Sequence, residues 1–244
     1  MANLALTFKD LYEKVQKYLG TYGSTGATGA ELTSSKEIVN DGYRRFINSR
    51  KWSFLFPIEQ ITTMNGQHTY ELPQDFVSLQ GSITFGADER YSDLKPITMP
   101  KWNSLRASND YTGYPEFYVI HPEKFDKDMG TRWNLHIYPT PDASYCLQLP
   151  IQIMPLKLEN DNDLPIGGPE MSDALRVVCL AEAEDAKEGV KEPIYKPQVS
   201  SVLNNAFALD RRRYSRSVGH LGGSDIDSRF LWREIRFNDV TFTE

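Results

Sequence analysis

Histidine, cysteine and net positive charge are what this sequence has least of. Its 244 residues include four histidines and two cysteines, and 27 basic side chains are outnumbered by 33 acidic ones, for a net charge of −6. His68, His121, His136 and His220 have no metal-ligand spacing to a cysteine or to one another, so the pattern predicts no zinc centre. Cys146 and Cys179 fall in different apolar stretches and are expected to be buried, reduced thiols. The acidic balance argues against a free-standing protein that grips nucleic-acid phosphates, which would carry a basic excess. The one concentrated basic run, "RRRYSR" at 211–216, reads as a solvated helix end. No run of about 18 apolar residues is present to span a bilayer. The opening "MANLALTFKD" lacks the basic and apolar regions of a signal peptide, so a product of a reducing cytoplasm with no membrane partner is expected.

Catalytic signatures are missing too. There is no nucleophile elbow, Walker loop or dinucleotide fingerprint, and "GSTGATG" lacks the lysine a phosphate cradle needs. The sharpest candidate ligands are Glu159, Asp161 and Asp163 in "ENDNDLPIGG", which offer oxygens suited to calcium. Counted from Asp161, however, the obligatory glycine and bidentate acid of an EF-hand loop are replaced by Ile166 and Ser172. A turn leading into a helix is the expected role of this stretch. No catalytic residue, cofactor or metal is assigned, and no enzyme is expected.

What is there is the composition of a globular protein, 40% apolar and 25% charged. Thr7, with Asp10 three residues on, predicts a capped helix to about Leu19, striped by Leu11, Val15, Tyr18 and Leu19 and stopped by Gly20. After a flexible connector, Ser34 and Glu37 form a second capping box, and a helix carrying Ile38, Val39, Gly42, Tyr43, Phe46 and Ile47 is expected to about Arg50. From Trp52 the period alternates. Asn65 and Gly66 predict a hairpin turn between two strands, and Tyr145, Leu147, Leu149, Ile151 and Ile153 mark a strand with one buried face. Helical periodicity returns with Leu175, Val178, Cys179, Ala183 and Ala186, then in a last helix from about Pro197 to Tyr214.

The expected fold class is therefore α+β. An antiparallel helical bundle is formed by the N-terminal helices (1–51) and the C-terminal helices (157–214), with an antiparallel β domain (52–156) inserted. Residues 215–244 remain as an extended tail. Gly219, Gly222 and Gly223 make that tail hinge-like, yet it carries Phe230, Leu231, Trp232, Ile235, Phe237, Val240 and Phe242. Mobile segments are normally poor in such side chains, so this one is expected to find a surface, either another chain's or its own, with "FNDVTF" added to a sheet edge or "SRFLWREIRF" folded as a short helix.

The succession "EIVNDGYRRFINSRKWSFL", "GQHTYELPQDFVSL", "LHIYPTPDASYCLQL" and "DNDLPIGGPEMSDALRVVCLAEAEDAKE" resembles the head-to-tail adaptor (connector, or tail tubular A-type) proteins of tailed bacteriophages, over about Lys36 to Tyr214. The resemblance implies a structural virion protein made in the host cytoplasm and placed in the neck. It further implies a homo-oligomeric ring, typically of twelve copies, under the portal protein, in contact with tail tube, nozzle or other neck proteins, around the path of double-stranded DNA. By the same resemblance residues 215–244 are a portal-docking arm, anchored by Phe230, Leu231, Trp232, Ile235 and Phe237 and hinged at Gly219, Gly222 and Gly223. Alternative readings are a receptor- or carbohydrate-binding tail protein, suggested by Trp102, Tyr118 and Trp133, a peptidoglycan-cleaving virion enzyme, and another neck or tail ring protein.

Overall fold

The computed structural model describes residues 4–21, 29–87, 89, 91–109, 111–126, 130–187 and 192–212. Helix α1 (Phe8–Leu19) begins as its sequence predicts: the Thr7 amide donates to Asp10 Oδ2 at 2.9 Å, and the Asp10 amide donates back to Thr7 Oγ1 at 3.2 Å. It ends at Gly20, whose φ of 84° lies in the left-handed region that a side chain would resist. Helix α2 runs Gly29–Ser49 and starts well before the Ser34 box predicts. Ser34 lies inside the helix, so that capping box is not used. Ser35 instead turns its hydroxyl back to the carbonyl of Glu31, 2.8 Å away.

The strands that follow are short. They are β1 (Ile58–Thr62), β2 (Thr69–Glu71), β3 (Phe76–Leu79), β4 (Thr84–Phe85) and β5 (Lys95–Pro96). Helix α3 (Met99–Ser108) interrupts them, a helix that the alternating pattern did not predict. Then come β6 (Thr112–Gly113), β7 (Phe117–Asp126), β8 (Gly130–Tyr138), β9 (Thr140–Pro141) and β10 (Cys146–Ile153). One sheet has the order β1-β10-β3, with β4 also on β10; a second has the order β2-β8-β7-β5; β6 and β9 pair alone. The pairings β5 with β7 and β6 with β9 are parallel, so the region is mixed rather than purely antiparallel.

The predicted hairpin about Asn65 and Gly66 is corrected by this topology. Gly66 does turn the chain, at φ 80°, but β1 pairs with β10 whereas β2 pairs with β8. Turn chemistry reverses a chain without choosing its partners. Here Thr63, buried and bonded to Tyr145 and Ala143, commits β1 to the first sheet before the turn arrives.

Helix α4 (Ser172–Ala186) and helix α5 (Val199–Arg212) complete the described chain. Three apolar clusters result, the smallest being Trp102 with Val119 and Tyr138. The first joins Phe8, Leu11 and Val15 of α1 with Val39, Tyr43 and Phe46 of α2, the buried face of α4, and Val199, Leu203 and Ala206 of α5. Trp52 is fully buried in it, its indole N–H donating to Phe46 O at 3.0 Å and its ring stacked on Phe46. The second cluster is made by the sheets, with Leu135, Ile137, Leu147, Leu149 and Ile151 at its centre, and Ile153 packs against both. The protein is thus a mixed α+β fold with five α-helices and several sheets among the described residues. Residues Met1–Phe207 make one compact unit; of the second, Ala208–Glu244, residues 208–212 are the end of α5.

Candidate functional site

Where helix α2 meets α4, Gly42 is a position at which a side chain would not fit. A Cβ added at Gly42 would lie 2.8 Å from Cys179 Cα and 3.0 Å from its Sγ. The two backbones therefore approach as closely as they do because residue 42 is glycine. Cys179 is completely enclosed, and burial pushes its thiol well above the ordinary range, which keeps it protonated and inert. Cys146 is only half-buried, so the expectation of two buried thiols holds for Cys179 alone.

The acidic stretch singled out by the sequence is a structural clasp. Asp163 accepts the amides of Glu159 (2.9 Å) and Asn160 (2.8 Å), which hold its carboxyl below the usual carboxylate range. Asp161 is likewise held down, chiefly by the Lys36 ammonium 3.1 Å away, and Glu159 pairs with Lys157 at 3.0 Å. The carbonyls of Asp163 and Asp161 accept the amides of Phe8 and Lys9, two of the donors that the first turn of α1 cannot satisfy internally. Next to this clasp, Asn40 grips the chain at Leu158 with both ends of its amide, at 2.9 and 3.1 Å. The three carboxylates are thus committed to separate partners. No group of three His, Cys, Asp or Glu side chains placed to hold a metal occurs among the described residues.

A carboxylate that sequence reading missed organises the approach to α5. Glu184, on α4, is 4% exposed and accepts three successive amides, from Ile194 (2.7 Å), Tyr195 (2.9 Å) and Lys196 (2.9 Å), with the Tyr18 hydroxyl at 3.4 Å. Burial opposes its ionisation, but these donors outweigh burial and hold its pKa below the ordinary value. The result pins the segment preceding α5 to α4 and α1. No periodicity marks Glu184, because its partners are backbone groups a dozen residues on. Beside it runs a groove of about 500 Å³ lined by Arg45, Asn48, Arg50, Lys196, Ser200 and Leu203. Its cations are largely engaged: Arg45 with Glu182 at 2.6 Å, Lys196 with Asp185 at 2.7 Å, and Arg50 with Asn204 at 2.8 Å.

The aromatic residues that suggest glycan binding are mostly structural. Trp102, on α3, is buried, donates its indole N–H to Ile137 O at 3.2 Å, is stacked on His68 and meets the His136 ring at a tilt. Tyr118 is buried in the sheet cluster, and Trp133 is half-buried against Phe76. Burial, followed by the neighbouring His68 and His121 charges, lowers the His136 pKa and favours its neutral form. Phe230, Leu231, Trp232, Ile235 and Phe237, with Gly219, Gly222, Gly223 and His220, lie outside the described residues.

The model of the SU10 adaptor protein family matches residues 6–225. The chain belongs to that family, one of phage head-to-tail adaptors, which makes it a phage adaptor structural protein of the virion neck that associates with portal and tail proteins. No curated protein matches the chain. No helix among the described residues is long and apolar enough to cross a membrane.

Proposed function

We propose that this chain is one subunit of a homo-oligomeric ring, of twelve copies, that sits beneath the portal, joins capsid to tail and surrounds the passing double-stranded DNA. The family match over residues 6–225 carries the reading. The joint apolar core of α1, α2, α4 and α5 supports its architectural part, an antiparallel helical bundle (1–51 and 157–214) bearing an inserted β domain (52–156). Residues 215–244 are the portal-docking arm. Phe230, Leu231, Trp232, Ile235 and Phe237 anchor it, since a few large buried side chains dominate most interfaces, and the three glycines let it be ordered only on its partner. Twelve such arms convert modest single contacts into a durable joint. A net charge of −6 suits a conduit that must not grip phosphate.

Native mass spectrometry of the full-length chain mixed with the cognate portal complex tests this reading. A discrete multi-copy complex is expected for the full chain and none for a chain ending at Tyr214. Equal binding by the truncated chain refutes the docking arm, and absence of any complex with the full chain refutes the adaptor ring.

A further inference from the structure

The first sheet ends in an edge that nothing among the described residues covers. Strand β1 is its outer strand, in continuous register with β10 from Ile58 opposite Pro150 to Thr62 opposite Cys146. Pro57 O accepts the Ile151 amide and the Thr63 amide donates to Tyr145 O, so the odd-numbered residues of β1 bond to β10. The N–H and C=O groups of Ile58, Gln60 and Thr62 consequently point away from the sheet, and among the described residues they meet no partner. Exposed edges are usually blunted by lysine, proline, a bulge or extreme shortness. Within β1, "IEQIT" has none of these; its one charge is Glu59, on the half-buried face it shares with Ile61, and at five residues it is longer than the outer strands β3, β4, β2 and β5. It even leaves Ile58 64% exposed.

We infer that β1 receives an added strand, residues Asn238–Phe242 of an adjacent copy of this chain. This assignment rests on the ring proposed above and names a contact between its subunits. The segment "NDVTF" matches β1 in length, is rich in strand-forming residues and alternates, with Val240 and Phe242 on one face and Asp239 and Thr241 on the other. Pairing puts Val240 and Phe242 on the face of β1 that carries Ile61, which already packs against the sheet cluster. Asp239 and Thr241 then lie on the other, solvent-facing side, which Ile58 shares. The segment also lies beyond the proposed portal anchors, so one arm serves both contacts. Residues 213–237 span up to about 80 Å when extended, whereas a globular body of this size has a radius of gyration of about 17 Å. The reach to a neighbour is therefore ample. Strand donation from each copy to the next is a head-to-tail contact, the kind that closes a ring without two-fold symmetry.

Disulfide trapping in the full-length chain bound to the portal complex tests the contact. Glu59 occupies a position whose amide groups face β10, so its side chain comes closest to an added strand. With Glu59→Cys combined in turn with Asn238→Cys, Asp239→Cys, Val240→Cys and Thr241→Cys, oxidation is expected to give a ladder of covalent multimers for one or two of the four. A multi-copy complex that yields only within-chain bonds, or none, overturns the inference and leaves the adaptor reading standing. Absence of the complex overturns both. Gln60→Pro removes one outward amide while keeping the bonds to β10, and is expected to lower ring assembly at least tenfold with the monomer's melting curve unchanged. Val240→Pro is expected to lower assembly equally; unaltered assembly by Val240→Pro overturns the inference.

Discussion

Gly42 shows how a single residue decides whether two helices can meet. Its absent side chain lets α2 lie against Cys179 of α4, and the nearest obstructing atom, Cys179 Cα, is backbone, which cannot swing aside. Gly42→Ala is expected to destabilise the protein by about 1–3 kcal/mol, the range for overpacking a close-packed site, even though alanine is the better helix former. Chemical denaturation of the two proteins measures this, and an increase in stability would show that α4 shifts freely. From the sequence, Gly42 reads as one position of an apolar stripe; that it is the contact point depends on which helix comes to face it.

At the scale of elements, the connection into α5 depends on Glu184. Its carboxylate satisfies three consecutive amides at once, so Glu184→Gln both removes the charge and presents an amide N–H₂ where acceptors are needed. A loss of about 1–2 kcal/mol at neutral pH is expected. The pH dependence follows from the lowered pKa. The unfolded chain takes up a proton at the ordinary glutamate value near 4.3, before the folded one does. Glu184 therefore contributes its full stabilisation above that value and loses it as pH falls through its lower, folded value. Glu184→Gln is expected to flatten this part of the acid limb, measured by urea denaturation between neutral and acidic pH. A limb of unchanged slope would assign the acid sensitivity to other carboxylates, such as Asp163. Among the elements, α1 was the most legible, because Thr7, Asp10 and Gly20 are local signals and its stripe of Leu11 and Val15 is buried as expected. Helix α3 was illegible: Trp102 is its one fully buried side chain, with Met99 and Leu105 half-buried beside it, too little to set up a helical period.

At the scale of the whole molecule, Met1–Phe207 is compact without the residues beyond α5. A chain ending at Tyr214 is accordingly expected to melt within about 2 °C of the full chain, since changes well below 1 kcal/mol shift a domain of this size by no more than that. Differential scanning calorimetry checks it, and a large drop would show that the tail contributes to the fold. The sequence by itself determined the α+β class, the succession of helices, strands and helices, the strand face of Leu147, Leu149 and Ile151, and the apolar tail. It did so because helix caps, burial periodicity and apolar content act over a few residues. Only the tertiary structure decided that α2 begins at Gly29, that the turn at Gly66 passes between sheets instead of closing a hairpin, that two strand pairs are parallel, and that Glu159, Asp161 and Asp163 form a clasp. It also decided which strand edge is left uncovered among the described residues. Each of these turns on which distant backbone group satisfies a given donor or acceptor, a choice settled by competition among all segments as the core closes and encoded in no local pattern.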